Sequence, residues 1–454
     1  MKNVSFLVVM GFSFLIAHAQ WQGPSVNFSH GRLKISENKR YLVFSDGTPF
    51  FYLGDTGWEL FHRLTKQEAE SYLEKRRSQG FTVIQAVVLA ELDGLNTPNA
   101  EGNKPLLNNN PLTPDEKYFA HVDWVIRKAM EKGLFIGLLP TWGDKVDLAS
   151  WGKGPLIFNK ENAFLYGQWI GKRYRNFPNI IWINGGDRFG GGKNFEVFDA
   201  LARGIKSVDT VHLMTFHPIG EHSSAEWFHE SPWLDFNMTQ TGHSQRSYAV
   251  YRWLFQPTYY KQPVKPCMDG EPRYEDHPVA WKPELFGWFD DVDVRQAAYW
   301  NLLSGACGHT YGCNSVWQFY DTGREPMGMA RRSWKESLDL PGASQMIYVR
   351  KLFEKYPYTT LQPYQSLIAN EYVPETDWIV AAVGKNFAFV YLPTGTTVHL
   401  KTNLLPWTGS KASWYNPRNG EMKEIEYFTH TENKTFTPPS SGRGNDWILI
   451  LETK

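Results

Sequence analysis

The chain has little cysteine, no surplus of either charge, and no apolar run suited to span a membrane. Each shortage narrows the reading. Cys267, Cys307 and Cys313 are too few and too scattered for a disulfide scaffold or a structural zinc site. At most one bridge is open to them, and buried free thiols are the simpler reading. Lys+Arg and Asp+Glu both number 47, so there is no general pull toward nucleic acid or an anionic membrane. Several reactive signatures are also missing. There is no GxSxG elbow, no HExxH, and no pair of closely spaced histidine ligands. The glycine-rich "GGDRFGGG" lacks the Lys-Ser/Thr of a P-loop and does not match GxGxxG, so it reads as a loop and not a nucleotide cradle.

Aromatic residues, by contrast, are plentiful. They make up 15% of the 454 residues, with 19 Trp. Their faces suit the C–H surfaces of sugar rings, although bulky cores use them too. A chain of this length buries a large core and is expected to form more than one domain.

The opening "MKNVSFLVVMGFSFLIAHAQ" has Lys2, an apolar run from Val4 to Ala17, and a small-x-small ending at Ala17-His18-Ala19. It reads as a cleaved secretory signal over residues 1–19. The run is too short and wrongly flanked for a membrane span, and no cysteine follows to carry a lipid. A soluble exported protein, periplasmic or secreted, is therefore expected.

From residue 20 to 356, strand-like apolar runs alternate with helical patterns. The runs are Thr48–Trp58, Phe81–Leu89, Leu134–Trp142, Ile180–Ile183, His212–Pro218, Trp233–His243, Pro263–Glu275 and Gly308–Asp321. Thr65 and Glu68 form a capping box for the first intervening helix, and Gly80 can end it. Eight strands separated by helices predict parallel βαβ units closing into a (β/α)8 TIM barrel. An open doubly wound sheet is the competitor, disfavoured because no Gly-rich phosphate turn follows the first strand. "RLKIS" and "RYLVF" predict a hairpin ahead of the barrel, with Asn38-Lys39 at its tip. Past a boundary near Tyr356–Gln362, short alternating strands with Gly, Pro and Asn turns predict a small antiparallel β-sandwich over residues 357–454.

In such a barrel the working residues sit just past the C-terminal strand ends. Those positions hold Asp55, Thr56 and Trp58; Glu91 and Asp93; Trp142 and Asp144; Asn184, Asp187 and Arg188. Later strands add Gln240 and His243; Asp269, Glu271, Arg273 and Tyr274; Trp317, Gln318 and Asp321. Carboxylates, aromatics and amides dominate, and the chemistry that needs two carboxylic acids and little else is glycoside hydrolysis. It requires no metal or cofactor.

Asp187, at the end of a buried strand, is placed as the proton donor, whose pKa must be raised by burial or a nearby anion. Gly185 and Gly186 before it keep the backbone slim for a substrate. Glu271 is the leading partner across the barrel, ahead of Asp269, Glu275 and Glu284, with Arg273 or Tyr274 to hold it ionised. Asp55 either binds a sugar hydroxyl or ties its loop. Trp58, Trp142 and Trp317 are stacking platforms or rim packing, and His243 orients a neighbour or a hydroxyl.

Taken together, "YLGDTGWELFHRLT", "IIWINGGDR", "MDGEPRYE", "SVWQFYD" and "WYNPRNGE" resemble the exported barrel proteins of glycoside hydrolase family 140. In these the barrel is followed by a small domain carrying a collagen-binding label. The resemblance covers nearly the whole mature chain. It implies an apiosidase that cuts the linkage between apiose and the galacturonan backbone of rhamnogalacturonan II, with an aspartate acid/base at Asp187 and a glutamate partner at Glu271. More distant retaining barrel glycosidases end the fourth strand in Asn-Glu, whereas this chain has Asn-Gly-Gly-Asp. Retention is the expected course, since the two acids lie at the fourth and seventh strand ends as in those relatives. Nothing in the last hundred residues reads as a collagen site, and a sandwich steadying the barrel is the simpler account.

The expected partner is an acidic, pectic oligosaccharide or polysaccharide, with a basic residue near the cleft, Arg188 or Arg273, meeting a carboxylate. Two other readings stay open at this level: a glycosidase of different sugar specificity, and a non-catalytic glycan-binding or adhesion protein.

Overall fold

The computed structural model describes residues 19–148, 151–370 and 375–453. The expected leader lies outside the described residues except for Ala19. Strands β1 (Leu33–Ile35) and β2 (Leu42–Phe44) pair antiparallel, with Leu33 opposite Phe44. Lys39 takes the left-handed conformation in the turn between them, at φ 58°. The hairpin sits at the base of the next layer, where the Phe44 ring meets Phe50 and Phe135.

Eight parallel strands then build a ring: β3 (Tyr52–Thr56), β4 (Val83–Leu89), β5 (Phe135–Thr141), β6 (Ile180–Arg188) and β7 (Met214–Pro218), and, after a two-residue β8 (His222–Ser223), β9 (Asn237–Gln240), β10 (Cys267–Asp269) and β11 (Gly308–Tyr311). Their order is β7-β6-β5-β4-β3-β11-β10-β9, with β8 antiparallel on the outer side of β9. The seam between β7 and β9 is bridged by hydrogen bonds from Asp235 N to the Met214 carbonyl (2.9 Å) and from Thr215 Oγ1 to the Phe236 carbonyl (2.7 Å). The result is a (β/α)8 barrel. Its strands are apolar on both faces because helices cover the outside while side chains fill the inside; every residue of β4, VIQAVVL, is buried.

The helices start where local chemistry says they should. Thr65 and Glu68 cap the helix Lys66–Ser78 reciprocally, and Asp115 accepts from Lys117 N ahead of Glu116–Glu131. The sixth, seventh and eighth barrel strands are shorter than their apolar runs. Beyond Gln240, Asp269 and Tyr311 the chain leaves the ladder and turns into the loops over the barrel mouth. All three cysteines are buried and unbridged.

The second domain has a six-stranded antiparallel sheet, β12 (Gln362–Pro363), β13 (Val380–Val383), β14 (Phe387–Leu392), β16 (Gly409–Tyr415), β17 (Met422–Thr429) and β19 (Trp447–Thr453). Opposite it lies the pair β15 (Val398–Leu400) and β18 (Lys434–Phe436), with Leu367, Val390, Trp414 and Leu449 between the layers. The other face of the large sheet is not solvated. Phe387, Phe389, Tyr391, Tyr415, Ile448 and Ile450 belong to the same continuous core as the barrel. Tyr391 stacks on Tyr299 at 4.9 Å, and Asp446 receives a fully buried Arg295 at 2.7 Å. The two domains thus share one interior.

Candidate active site

A cavity of about 600 Å³ opens at the C-terminal ends of the barrel strands. Among the residues expected at the site, Trp58, Glu91, Trp142, Asp187, Gln240, His243, Glu271, Tyr274 and Trp317 line it. They come from the segments following β3, β4, β5, β9, β10 and β11, and from the ends of β6 and β9 themselves.

Asp187 reaches the cavity through a kink in its own strand. The β6–β7 ladder shifts register between Gly185 and Arg188. Gly185 and Gly186 take φ of 95° and 106°, and Asp187 itself sits at φ 57°. The left-handed conformation costs an ordinary residue about 1–2 kcal/mol, which a short polar side chain such as aspartate tolerates better than most. The two glycines answer a different need from the one expected of them. A Cβ on Gly185 would strike the His217 carbonyl, and one on Gly186 would come 2.8 Å from Gly143 N and 3.0 Å from the Trp142 ring. The end of β7 and the turn after β5 require the slim backbone.

His217, at the end of β7, links the two acids. The Asp187 backbone N–H donates to His217 Nδ1 at 3.2 Å. That nitrogen therefore carries a lone pair, and the ring hydrogen is on Nε2. Nε2 faces Glu271 Oε2 at 3.0 Å, although the pair is bent away from good hydrogen-bond alignment. The better-directed bond to Glu271 comes from His243 Nε2, which lies 3.1 Å from Oε1. The Tyr274 hydroxyl lies beside Glu271, whose charge acts on it, and accepts from Trp58 Nε1 at 3.2 Å.

These surroundings push the acids apart. Burial, and then the negative charge of Glu271, raises the Asp187 carboxyl to about 6, against the opposing pull of His217, Arg188 and a hydrogen bond from Gln240. Burial acts on Glu271 in the same direction, but the His217 and His243 contacts outweigh it and hold the carboxyl down to about 2. Two acids in one cavity with opposite protonation are the pattern of an acid/base pair.

The competing carboxyls are engaged elsewhere. Asp269 accepts from Thr241 Oγ1 (2.5 Å) and Tyr251 (3.2 Å). Glu275 accepts from Tyr311 (2.6 Å) and Gly342 N (3.0 Å). Glu284 is exposed on the short surface helix Pro283–Phe286.

Five expected site residues do not reach the cavity. Asp55 lies beneath it, fully buried in an ion pair with Arg76 (2.7 Å) and a hydrogen bond from Tyr72 (2.6 Å). Asn184 is used by its own fold, donating to the Phe198 carbonyl and accepting from Gly185 N. Gln318 bonds to the backbone of Asn314 and Met327. Arg188 points away from the cavity into the carbonyls of Asp147, Asp187 and Trp151, under the Trp151 ring. Arg273 is buried over Trp300 and donates to the Ser247 carbonyl. Neither arginine is free to meet a substrate carboxylate, and Glu271 is oriented by His243 and His217 in place of Arg273. A buried guanidinium must find acceptors, and here backbone carbonyls satisfy that demand before any ligand arrives.

Sequence reasoning also missed functional surface. His217 had a signal, a histidine at the end of the fifth apolar run. Trp151 and Trp281, 38% and 51% exposed, line the cavity with His277; each lies in a loop with no periodic pattern to draw attention. Trp58 and Trp142, by contrast, are 2% exposed and form walls, not open platforms.

A closed parallel barrel with paired carboxyls and tryptophans at its C-terminal mouth defines the class: a glycoside hydrolase, acting on a glycan through carboxylate chemistry. Residues 36–360 match the family model described as "Apiosidase-like, catalytic domain". The chain belongs to this apiosidase-like family. Residues 362–452 match a second model, described as "Putative collagen-binding domain of a collagenase".

Among solved structures, one described as a glycoside hydrolase is 35% identical, with 94% of this chain and 98% of that one covered and a TM-score of 0.87. Another, described as a glycoside hydrolase family 5 from Bacteroides vulgatus, is 32% identical over 94% of each chain, again with a TM-score of 0.87. No curated protein matches the chain.

Proposed function

We propose that this enzyme removes a sugar from a pectic glycan, and that the bond cut is the apiosyl linkage to the galacturonan backbone of rhamnogalacturonan II. Asp187 is the general acid/base and Glu271 its partner. The observation that supports this most directly is the shared His217, which ties both acids to one cavity while their surroundings favour opposite protonation. The family match supports the choice of sugar.

In the first step the Asp187 carboxyl protonates the departing glycosidic oxygen. Burial and the Glu271 charge keep that proton in place in mildly acidic solution. Glu271, anionic and fixed by His243, attacks the anomeric carbon from the opposite face. Water then resolves the glycosyl-enzyme, with Asp187 now acting as base. The leader implies that this takes place after export.

The test is release of free sugar from rhamnogalacturonan II fragments by purified protein, scored by chromatography. Asp187→Asn and Glu271→Gln should each lower the rate at least about a thousandfold, a general acid or nucleophile being worth that much or more, with unchanged circular dichroism. Full activity in either variant would remove that residue's role. Release of a different sugar, with apiose left in place, would overturn the linkage.

A further inference from the structure

The cavity wall carries Glu91, Asp187, Glu221 and Glu271 and, among the described residues, no lysine or arginine. A uronate seated there would meet carboxyls on several sides, no lysine or arginine, and histidines of which His217 and His243 are already turned onto Glu271. Lys145, whose charge reaches Glu91, is fully buried behind the wall. It is paired with Asp144 at 2.7 Å and donates to the Ala90 carbonyl.

Glu91 stands out among these acids because the mechanism above does not use it. It follows β4 directly, is only 9% exposed, and lines the same cavity as Trp58 and Trp142. The Asp187 carboxyl is stabilised by Gln240, and Glu271 is held by its histidines. The Glu91 carboxyl makes no hydrogen bond to the side chains or backbone of the described residues and faces the open cavity. Burial, and then the charges of Asp187, Asp144 and Glu59, favours its neutral form over the weaker pull of Lys145. A protonated carboxyl both donates and accepts, as a sugar hydroxyl does.

We propose that Glu91 is a specificity residue: its carboxyl binds a hydroxyl of an uncharged sugar seated against the touching Trp58 and Trp142 rings, and this acid-lined seat, without lysine or arginine, rejects uronates. Any acidic sugar of the substrate then lies outside the seat, toward the mouth. The proposal rests on the glycosidase reading of the cavity and narrows its substrate class.

Binding of monosaccharides, which cannot be cleaved, tests it without relying on turnover. Ligand-observed NMR with the full-length protein would compare apiose, arabinose, rhamnose and galactose with galacturonate and glucuronate near pH 6. The best neutral sugar should bind at least about tenfold more tightly than either uronate. Glu91→Ala should weaken that sugar about tenfold, the equivalent of one lost hydrogen bond. Glu91→Gln, which keeps a donor and an acceptor in the same volume, should stay within about threefold of the parent. A uronate bound as tightly as the best neutral sugar, or a Glu91→Ala variant that binds like the parent, would overturn the proposal. Tight binding of a neutral sugar other than apiose would remove the apiosyl assignment and leave the role of Glu91 standing.

Discussion

Replacing His243 by phenylalanine should narrow the enzyme's working pH range from the acidic side. His243 supplies the well-directed hydrogen bond to Glu271, at 3.1 Å. Its ring also packs on Tyr274 at 4.5 Å and His277 at 4.4 Å. Phenylalanine keeps those ring contacts and removes the donor. It also removes Nδ1, a buried nitrogen that has no partner among the described residues, so the fold should lose little.

A hydrogen bond to an ionised group contributes about 1.5–3 kcal/mol, and about 1.4 kcal/mol corresponds to one pKa unit. Loss of the bond should therefore raise the Glu271 carboxyl by about one to two units. In the parent it lies at about 2; the acidic limb should move from there to roughly pH 3–4. The sign follows from which form is needed. Glu271 works ionised, so activity is lost as the pH falls through its pKa, and a higher pKa brings that loss sooner.

The alkaline limb belongs to Asp187, which works protonated and titrates at about 6. Glu271 is ionised throughout that range in both proteins, so this limb should stay in place. The assay is kcat/KM for sugar release from pH 2.5 to 8, with thermal melting at each pH to separate titration from unfolding. An acidic limb that does not move, in a variant that stays folded, would refute the claim that His243 keeps Glu271 charged.

Three further outcomes are expected. Asp55→Ala leaves Arg76 buried without its ion-pair partner and should cost about 3–5 kcal/mol of stability in denaturant titration; because Asp55 does not line the cavity, the folded fraction should keep its KM. Deleting residues 362–454 strips Phe389, Tyr391 and Ile450 from the common core and leaves Arg295 without Asp446, so the barrel alone should aggregate, which size-exclusion chromatography would show; a soluble active monomer would contradict the shared interior. Proton NMR of freshly released sugar should show the anomer of the original linkage, as retention requires, and the opposite anomer would assign Glu271 to activating water.

Some of this could be read directly from residue order. Thr65 and Glu68 specify a helix start through bonds spanning three residues, and alternating apolar runs and helical patterns were enough to predict the barrel. Asp187 and Glu271 stood out because each follows a buried strand with a charge that a core does not need. Arg188 and Arg273 were equally conspicuous and misleading. A charged residue at a strand end can face the cavity or turn under the loops, and the bulge at Gly185–Arg188 sends Asp187 inward and Arg188 outward. That choice depends on the carbonyls of Asp147 and Trp151, which no local pattern relates to position 188.

Local chemistry in the chain thus settled the layers, the number of strands, and the kinds of side chain available at the barrel mouth. Hydrophobic period, caps and turns act over a few residues and are written in sequence order. Folding alone decided which acids meet, which histidines hold them, and which cations are withdrawn. The separation of the Asp187 and Glu271 pKa values arises from through-space charge and burial contributed by β6, β7 and the loops after β9 and β10, segments up to about ninety residues apart that become neighbours only when the ring closes.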